Sequence, residues 1–241
     1  EYTSSASFKE AMNLSSAQFT RGTINIPAYR ATYLDQLSET SILNIQAEEN
    51  FRHLIRNMKD IEDIEYTIPQ EIEPILRPYQ KKGFRWLYAL KENHLGGLLA
   101  DEMGLGKSIQ IISLLVAWKD RKRTLIVCPS SLVYNWANEI NKFMPNMHYT
   151  MISGFANIRK ELIRTSLEND ILITSYDALK RDIDVYRTIE FSCQVIDEAQ
   201  YIKNASTLAA QSVKAINSHF RIALTGTPIE NRLSELWSIF D

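Results

Sequence analysis

Lys107 and Asp197, ninety positions apart, each sit in a short segment whose residue types suit phosphate and divalent-cation chemistry. Around the lysine runs Asp101-Glu-Met-Gly104-Leu105-Gly106-Lys107-Ser108. In a phosphate loop, glycines let consecutive backbone N–H groups turn inward on the anion, a lysine reaches the terminal phosphates and a hydroxyl joins the Mg2+ shell. Gly104, Gly106, Lys107 and Ser108 suit those four tasks, with Leu105 between the glycines. The strict pattern G-x-x-x-x-G-K-[ST] has glycine where this chain has Asp101, so a glycine-rich turn with a surface lysine stands beside the nucleotide reading. The second segment is Val195-Ile196-Asp197-Glu198-Ala199-Gln200. There a carboxylate can hold Mg2+ while its neighbour orients an attacking water. Alone it would read as a solvated turn; beside a phosphate loop it reads as chemistry.

Such residues need elements to hold them. Residues 96–100 form an apolar run of strand length, and residues 108–118 read as a buried helix whose positive N-terminus would carry Lys107. Residues 191–196 end in a strand-like run that delivers Asp197 and Glu198 at its C-terminal edge, where open parallel sheets bind ligands. Further strand-like runs at 124–128, 170–174, 194–196 and 220–225 alternate with helix candidates at 131–143, 156–168 and 207–217. The alternation predicts an α/β fold, a mostly parallel sheet sandwiched by helices. Earlier in the chain, Phe51, Leu54, Ile55, Met58 and Ile61 recur at helical spacing and predict one amphipathic helix over 47–65. Pro69, Pro74 and Pro78 then mark a boundary. The expected division is a small, largely helical accessory region over 1–70 and the α/β lobe over 71–241.

Of the 241 residues 45% are hydrophobic and 23% charged, ordinary for a globular protein and unlike a disordered one. The two cysteines, Cys128 and Cys193, sit in apolar runs without metal-ligand neighbours and read as reduced core residues. No run approaches the roughly 18 apolar residues of a membrane span. The net charge of -2 supplies no general basic field, so nucleic-acid contact has to be local. Lys119-Asp-Arg-Lys-Arg123 is the dense basic patch, open to two readings, a phosphate contact or a solvated turn. Because the sequence opens on Glu1 without methionine and stops at Asp241 after an apolar run, it reads as a piece of a longer protein.

Several segments follow in a fixed order: Leu76-Arg-Pro-Tyr-Gln80; Leu99 to Ser108; Val127-Cys-Pro-Ser130-Ser131-Leu132 with Asn135, Trp136 and Glu139; Ile173-Thr-Ser175-Tyr176-Asp-Ala-Leu179; Asp197 to Gln200 with Ile202-Lys-Asn204; and Leu224-Thr225-Gly226-Thr227-Pro-Ile-Glu-Asn231. From about residue 74 onward this resembles the first motor lobe of the Swi/Snf family of helicase superfamily two, in a bacterial-type member. In that family Asp in place of the first loop glycine is normal. The resemblance implies a RecA-like P-loop lobe that binds ATP and Mg2+. It assigns adenine to Gln80, the terminal phosphates to Lys107, Mg2+ to Ser108 and Asp197, and the attacking water to Glu198. Gln200 stands where many relatives carry His, which keeps a hydrogen-bonding amide and loses a titratable group. Thr225, Gly226 and Thr227 fall in the motif that couples nucleotide to DNA, although the hydroxyls could instead cap the local turn. Ser130, Ser131, Ser175 and Tyr176 are candidates for double-stranded DNA phosphates. Trp136 could stack on a base, but its spacing from Leu132, Val133 and Ile140 favours a core-facing helix position.

The implied activity is DNA-dependent ATP hydrolysis driving translocation on double-stranded DNA and remodelling of protein–DNA complexes. A second motor lobe, absent from this sequence, would complete the site, so the chain alone is expected to be nearly inactive. A strand-separating helicase, a nucleotide-gated DNA-binding module and, least favoured, a small-molecule kinase are the rivals. The expected location is cytoplasmic, with the nucleoid if the host is bacterial.

Overall fold

The computed structural model describes residues 66–226, all within one of two compact units into which the chain divides, Glu65–Asp241. The amphipathic helix expected over 47–65 and the residue Thr227 lie outside the described residues.

In chain order the elements are α1 (Pro78–Glu92), β1 (Gly97–Leu99), α2 (Lys107–Ala117), β2 (Thr124–Cys128), α3 (Val133–Phe143), β3 (Tyr149–Met151), α4 (Ala156–Thr165), β4 (Ile171–Ser175), α5 (Tyr176–Tyr186), β5 (Glu190–Ile196), α6 (Leu208–Lys214) and β6 (Asn217–Leu224). The six strands form one sheet in the order β1-β6-β5-β2-β4-β3, and every pairing is parallel. All strand C-termini therefore share one edge.

The sheet is covered on both faces, as parallel sheets must be. Along β2, Leu125 and Val127 join a buried cluster with Ile163 of α4, Leu179 and Tyr186 of α5, and Val213 of α6. Strand alternation turns the equally buried Ile126 and Cys128 to the opposite face. On that face α2 packs against both α1 and α3. The α1–α2 approach is close at Gly83, where a Cβ would come within 1.7 Å of Gln110 Oε1.

The prolines divide their work. Pro74 lies in a short 3-10 turn, Glu73–Ile75, while Pro78 opens α1 at a first-turn position whose N–H has no helical partner to lose. Pro78 thus starts an element, where the proline cluster had suggested only a boundary. The basic patch divides too. Arg121 donates to Leu115 O (Nε, 3.1 Å) and Asn169 O (Nη1, 2.8 Å), and Arg123 donates to Ser166 Oγ (Nε, 3.1 Å) and Ser166 O (Nη2, 2.8 Å). These arginines tie the start of β2 to the loop before β4, at the end of the strands opposite Asp197, while Lys119 and Lys122 of the patch stay exposed.

Candidate nucleotide site

Three adjacent strands deliver the chemistry. β1 leads into the loop 100–106, β6 ends at Leu224, just before Thr225, and β5, on the far side of β6, ends at Ile196, just before Asp197. The ladder carries past the formal strand ends, with Thr225 N donating to Leu99 O (3.2 Å) and Asp197 N to Val127 O (2.8 Å).

The loop turns on Gly104 (φ 84°) and Gly106 (φ 74°), the latter capping α2 in the left-handed region that side chains disfavour. A Cβ at Gly106 would also lie 2.6 Å from Gln80 Nε2. Lys107 begins α2, and its ammonium donates to the loop's own carbonyls, Asp101 O at 2.8 Å and Glu102 O at 3.2 Å. Ser108 follows, half-buried on the first turn. Asp101, the unexpected residue of the loop, accepts from Gln110 Nε2 at 2.9 Å.

Gln80 reaches the loop from α1. Its Oε1 accepts from Arg77 N (2.9 Å), as a capping residue does, and its Nε2 donates to Leu105 O (3.0 Å). The carboxamide is buried and joins the helix start to the phosphate loop.

Asp197 is half-buried and oriented by two donors, Glu198 N to Oδ1 (2.9 Å) and Trp136 Nε1 to Oδ2 (2.8 Å). Burial raises its carboxyl above the ordinary value, and the Glu198 charge adds to this, while the two N–H donors and the Lys107 ammonium oppose it. Glu198 has φ 50°, a left-handed backbone that costs a non-glycine residue about 1–3 kcal/mol and tends to occur at functional sites. Its Oε2 accepts from Gln200 Nε2 (2.6 Å), and Gln200 Oε1 accepts from Thr225 Oγ1 (2.9 Å). The amide at 200 therefore links Glu198 to the start of the 225–227 motif without needing to titrate. Gly226 packs against the loop, since a Cβ there would meet Met103 Cγ at 3.0 Å.

Lys107, Asp197, Glu198, Gln200 and Thr225 thus gather at one sheet edge. The candidates for DNA phosphates divide. Ser130 and Ser131 are exposed on a 3-10 turn after β2. Ser175 Oγ caps α5 by accepting from Ala178 N (3.1 Å). The Tyr176 side chain does not reach the surface: it is buried, and its hydroxyl donates to Asp197 O (2.7 Å). Trp136 is 1% exposed, which removes the base-stacking alternative. Its bond to Asp197, 61 residues away, escaped the sequence reading. The single signal for it is that a buried indole N–H needs an acceptor.

A SNF2-related domain is recognised over residues 79–241, and a bacterial SNF2 helicase associated domain over residues 1–69. The putative ATP-dependent helicase/translocase YwqA of Bacillus subtilis is 36% identical over 215 residues, covering 86% of this chain and 23% of that protein. The human TATA-binding protein-associated factor 172 is 35% identical over 218 residues, covering 82% and 12%. A solved structure, the Sulfolobus solfataricus SWI2/SNF2 ATPase core in complex with dsDNA, is 39% identical with a TM-score of 0.66, covering 73% of this chain and 37% of that one. The chain spans less than a quarter of the length of these two curated relatives. With its parallel sheet, phosphate loop and acidic strand end, it belongs to the SNF2 family of ATP-dependent helicases and translocases, and its described part has the RecA-like fold of the SWI2/SNF2 ATPase core.

Proposed function

We propose that this chain is the ATP-binding lobe of a motor that tracks along double-stranded DNA and displaces or rearranges proteins bound to it. The observation that carries the reading is the continuous path Asp197–Glu198–Gln200–Thr225, which joins an acidic strand end to the segment packed on the phosphate loop. The residues fit ATP with Mg2+. Lys107 spends its charge on neutral carbonyls that a phosphate would outcompete, and a carboxylate with a nearby hydroxyl suits a hard cation. Ser108 and Asp197 would hold Mg2+, which when bound neutralises phosphate charge.

The chain's own groups supply position and polarity. Lys107 and the N–H groups of the glycine turns hold the terminal phosphates. Gln80, bonded to Leu105 O, would recognise adenine beside the loop, exchanging its present partners for the base. Glu198 orients the attacking water and takes its proton, and Gln200 fixes the Glu198 carboxylate. Ser130 and Ser131 would meet DNA phosphates without reading bases. A second lobe in the full-length protein would close the site.

The test is ATPase rate with and without duplex DNA, on the full-length protein and on this chain in parallel. The expected outcome is strong DNA stimulation of the full-length protein and a nearly inactive chain. Glu198→Gln should lower the full-length rate by about 10²–10⁴-fold. An unchanged rate would demote the site to a nucleotide-gated switch, and release of a displaced strand would make the protein a strand-separating helicase.

A further inference from the structure

Trp136 is among the largest fully buried side chains of the described residues, and packing alone would account for an apolar ring there. The indole N–H is different. It donates at 2.8 Å to Oδ2 of Asp197, across 61 residues, while Oδ1 takes the N–H of Glu198 at 2.9 Å. One donor on each oxygen fixes the plane of the carboxylate and leaves one set of lone pairs for a cation. The backbone is held as well, by Tyr176 Oη on Asp197 O and by Asp197 N on Val127 O. Of the two donors to the carboxylate, the Glu198 N–H is local, and the indole alone comes from another element.

We propose that Trp136 is a positioning residue for the cation-binding carboxylate, its indole N–H fixing the orientation in which Asp197 meets Mg2+. The inference rests on reading Asp197 as that carboxylate. Donors that orient a ligating side chain are worth about 10–100-fold in metal affinity. Trp136 also lies in the first turn of α3, which follows the Ser130–Leu132 turn with its two exposed serines. One rigid indole therefore connects a surface turn to the cation site.

The experiment measures mant-ADP binding by fluorescence anisotropy on the full-length protein, titrated with magnesium chloride. Its readout is the Mg2+ concentration that half-maximally tightens nucleotide binding. Trp136→Phe keeps an aromatic ring and removes the donor. It should raise that concentration about ten-fold while leaving mant-ADP binding in EDTA unchanged. Asp197→Asn should raise it at least as far, and the double variant no further than Asp197→Asn alone. If Asp197→Asn shifts the midpoint and Trp136→Phe does not, the positioning role is overturned and the reading of Asp197 stands. A parallel loss of affinity in EDTA would overturn it too, because general packing would then explain the effect. If Asp197→Asn leaves the midpoint in place, the reading of Asp197 fails first and this inference with it. Should Trp136→Phe not fold, the wild-type indole N–H resonance of Trp136 decides, assigned by substituting the other tryptophans. It should move on adding magnesium chloride to the ADP complex, and a resonance indifferent to Mg2+ overturns the proposal.

Discussion

At the scale of single residues the site holds charge at a cost. The Asp197 carboxyl binds its proton more tightly in the folded chain than in the unfolded one, because burial disfavours the charged form. A carboxyl raised above 3.8 contributes stability that is fully present below that pH and is lost as pH rises through the folded value. At neutral pH the ionised group is therefore a burden on folding. Asp197→Asn removes the charge but sets an amide NH2 against one of the two N–H donors. The expectation is therefore the pH trend: the melting temperature of the variant relative to wild type should fall on acidification, as the wild-type carboxyl takes up its proton. Calorimetry of both proteins at several pH values checks it. The position of Asp197 and Glu198 was legible in the sequence because an apolar strand-like run leads directly into them. Trp136 was not. A hydrogen bond between α3 and the end of β5 leaves no periodic trace, and the apolar spacing that marks a core helix is the same whether or not the indole N–H has a carboxylate to meet.

Among the elements, legibility follows local strength. The run 124–128 coincides with β2 because five buried residues in a row leave little choice. Three elements went unread. α1 begins on a proline, β3 is a three-residue edge strand, and α5 contains Asp182 at φ −113°, ψ 15°, outside helical geometry. That break has a tertiary cause. Asp182 is 1% exposed and takes both Arg159 Nε (2.5 Å) and Nη2 (3.0 Å) from α4, while Arg159 Nη1 donates to Gly154 O (2.7 Å). The fork of the guanidinium fastens two helices and the loop before them. Asp182→Ala would strand a buried cation and should cost about 3–5 kcal/mol in urea unfolding, with exposed Asp177→Ala near neutral as the control.

Across the whole sheet, Cys128 and Cys193 lie on adjacent central strands, fully buried, each thiol pushed by burial up to about 12. Neither can present a thiolate until the sheet opens. Both should resist iodoacetamide at pH 8 in the native protein and become reactive together across the urea transition, which mass spectrometry of the two peptides would follow. The sheet order was not legible beforehand, since alternating strands and helices announce a parallel sheet without saying which strands are neighbours. That order sets the phosphate loop, Thr225 with Gly226, and the acidic strand end side by side on β1, β6 and β5. Within this arrangement the Lys107 ammonium rests on Asp101 O and Glu102 O, so the loop carries its own competitor. On the proposed reading of Lys107, nucleotide has to displace an intramolecular partner already in place, and the measured affinity would be the intrinsic one multiplied by the fraction of loops whose lysine is released. Lys107→Ala removes the phosphate partner and the competitor together. The affinity lost in that variant is thus a lower bound on what the lysine contributes to the bound phosphate.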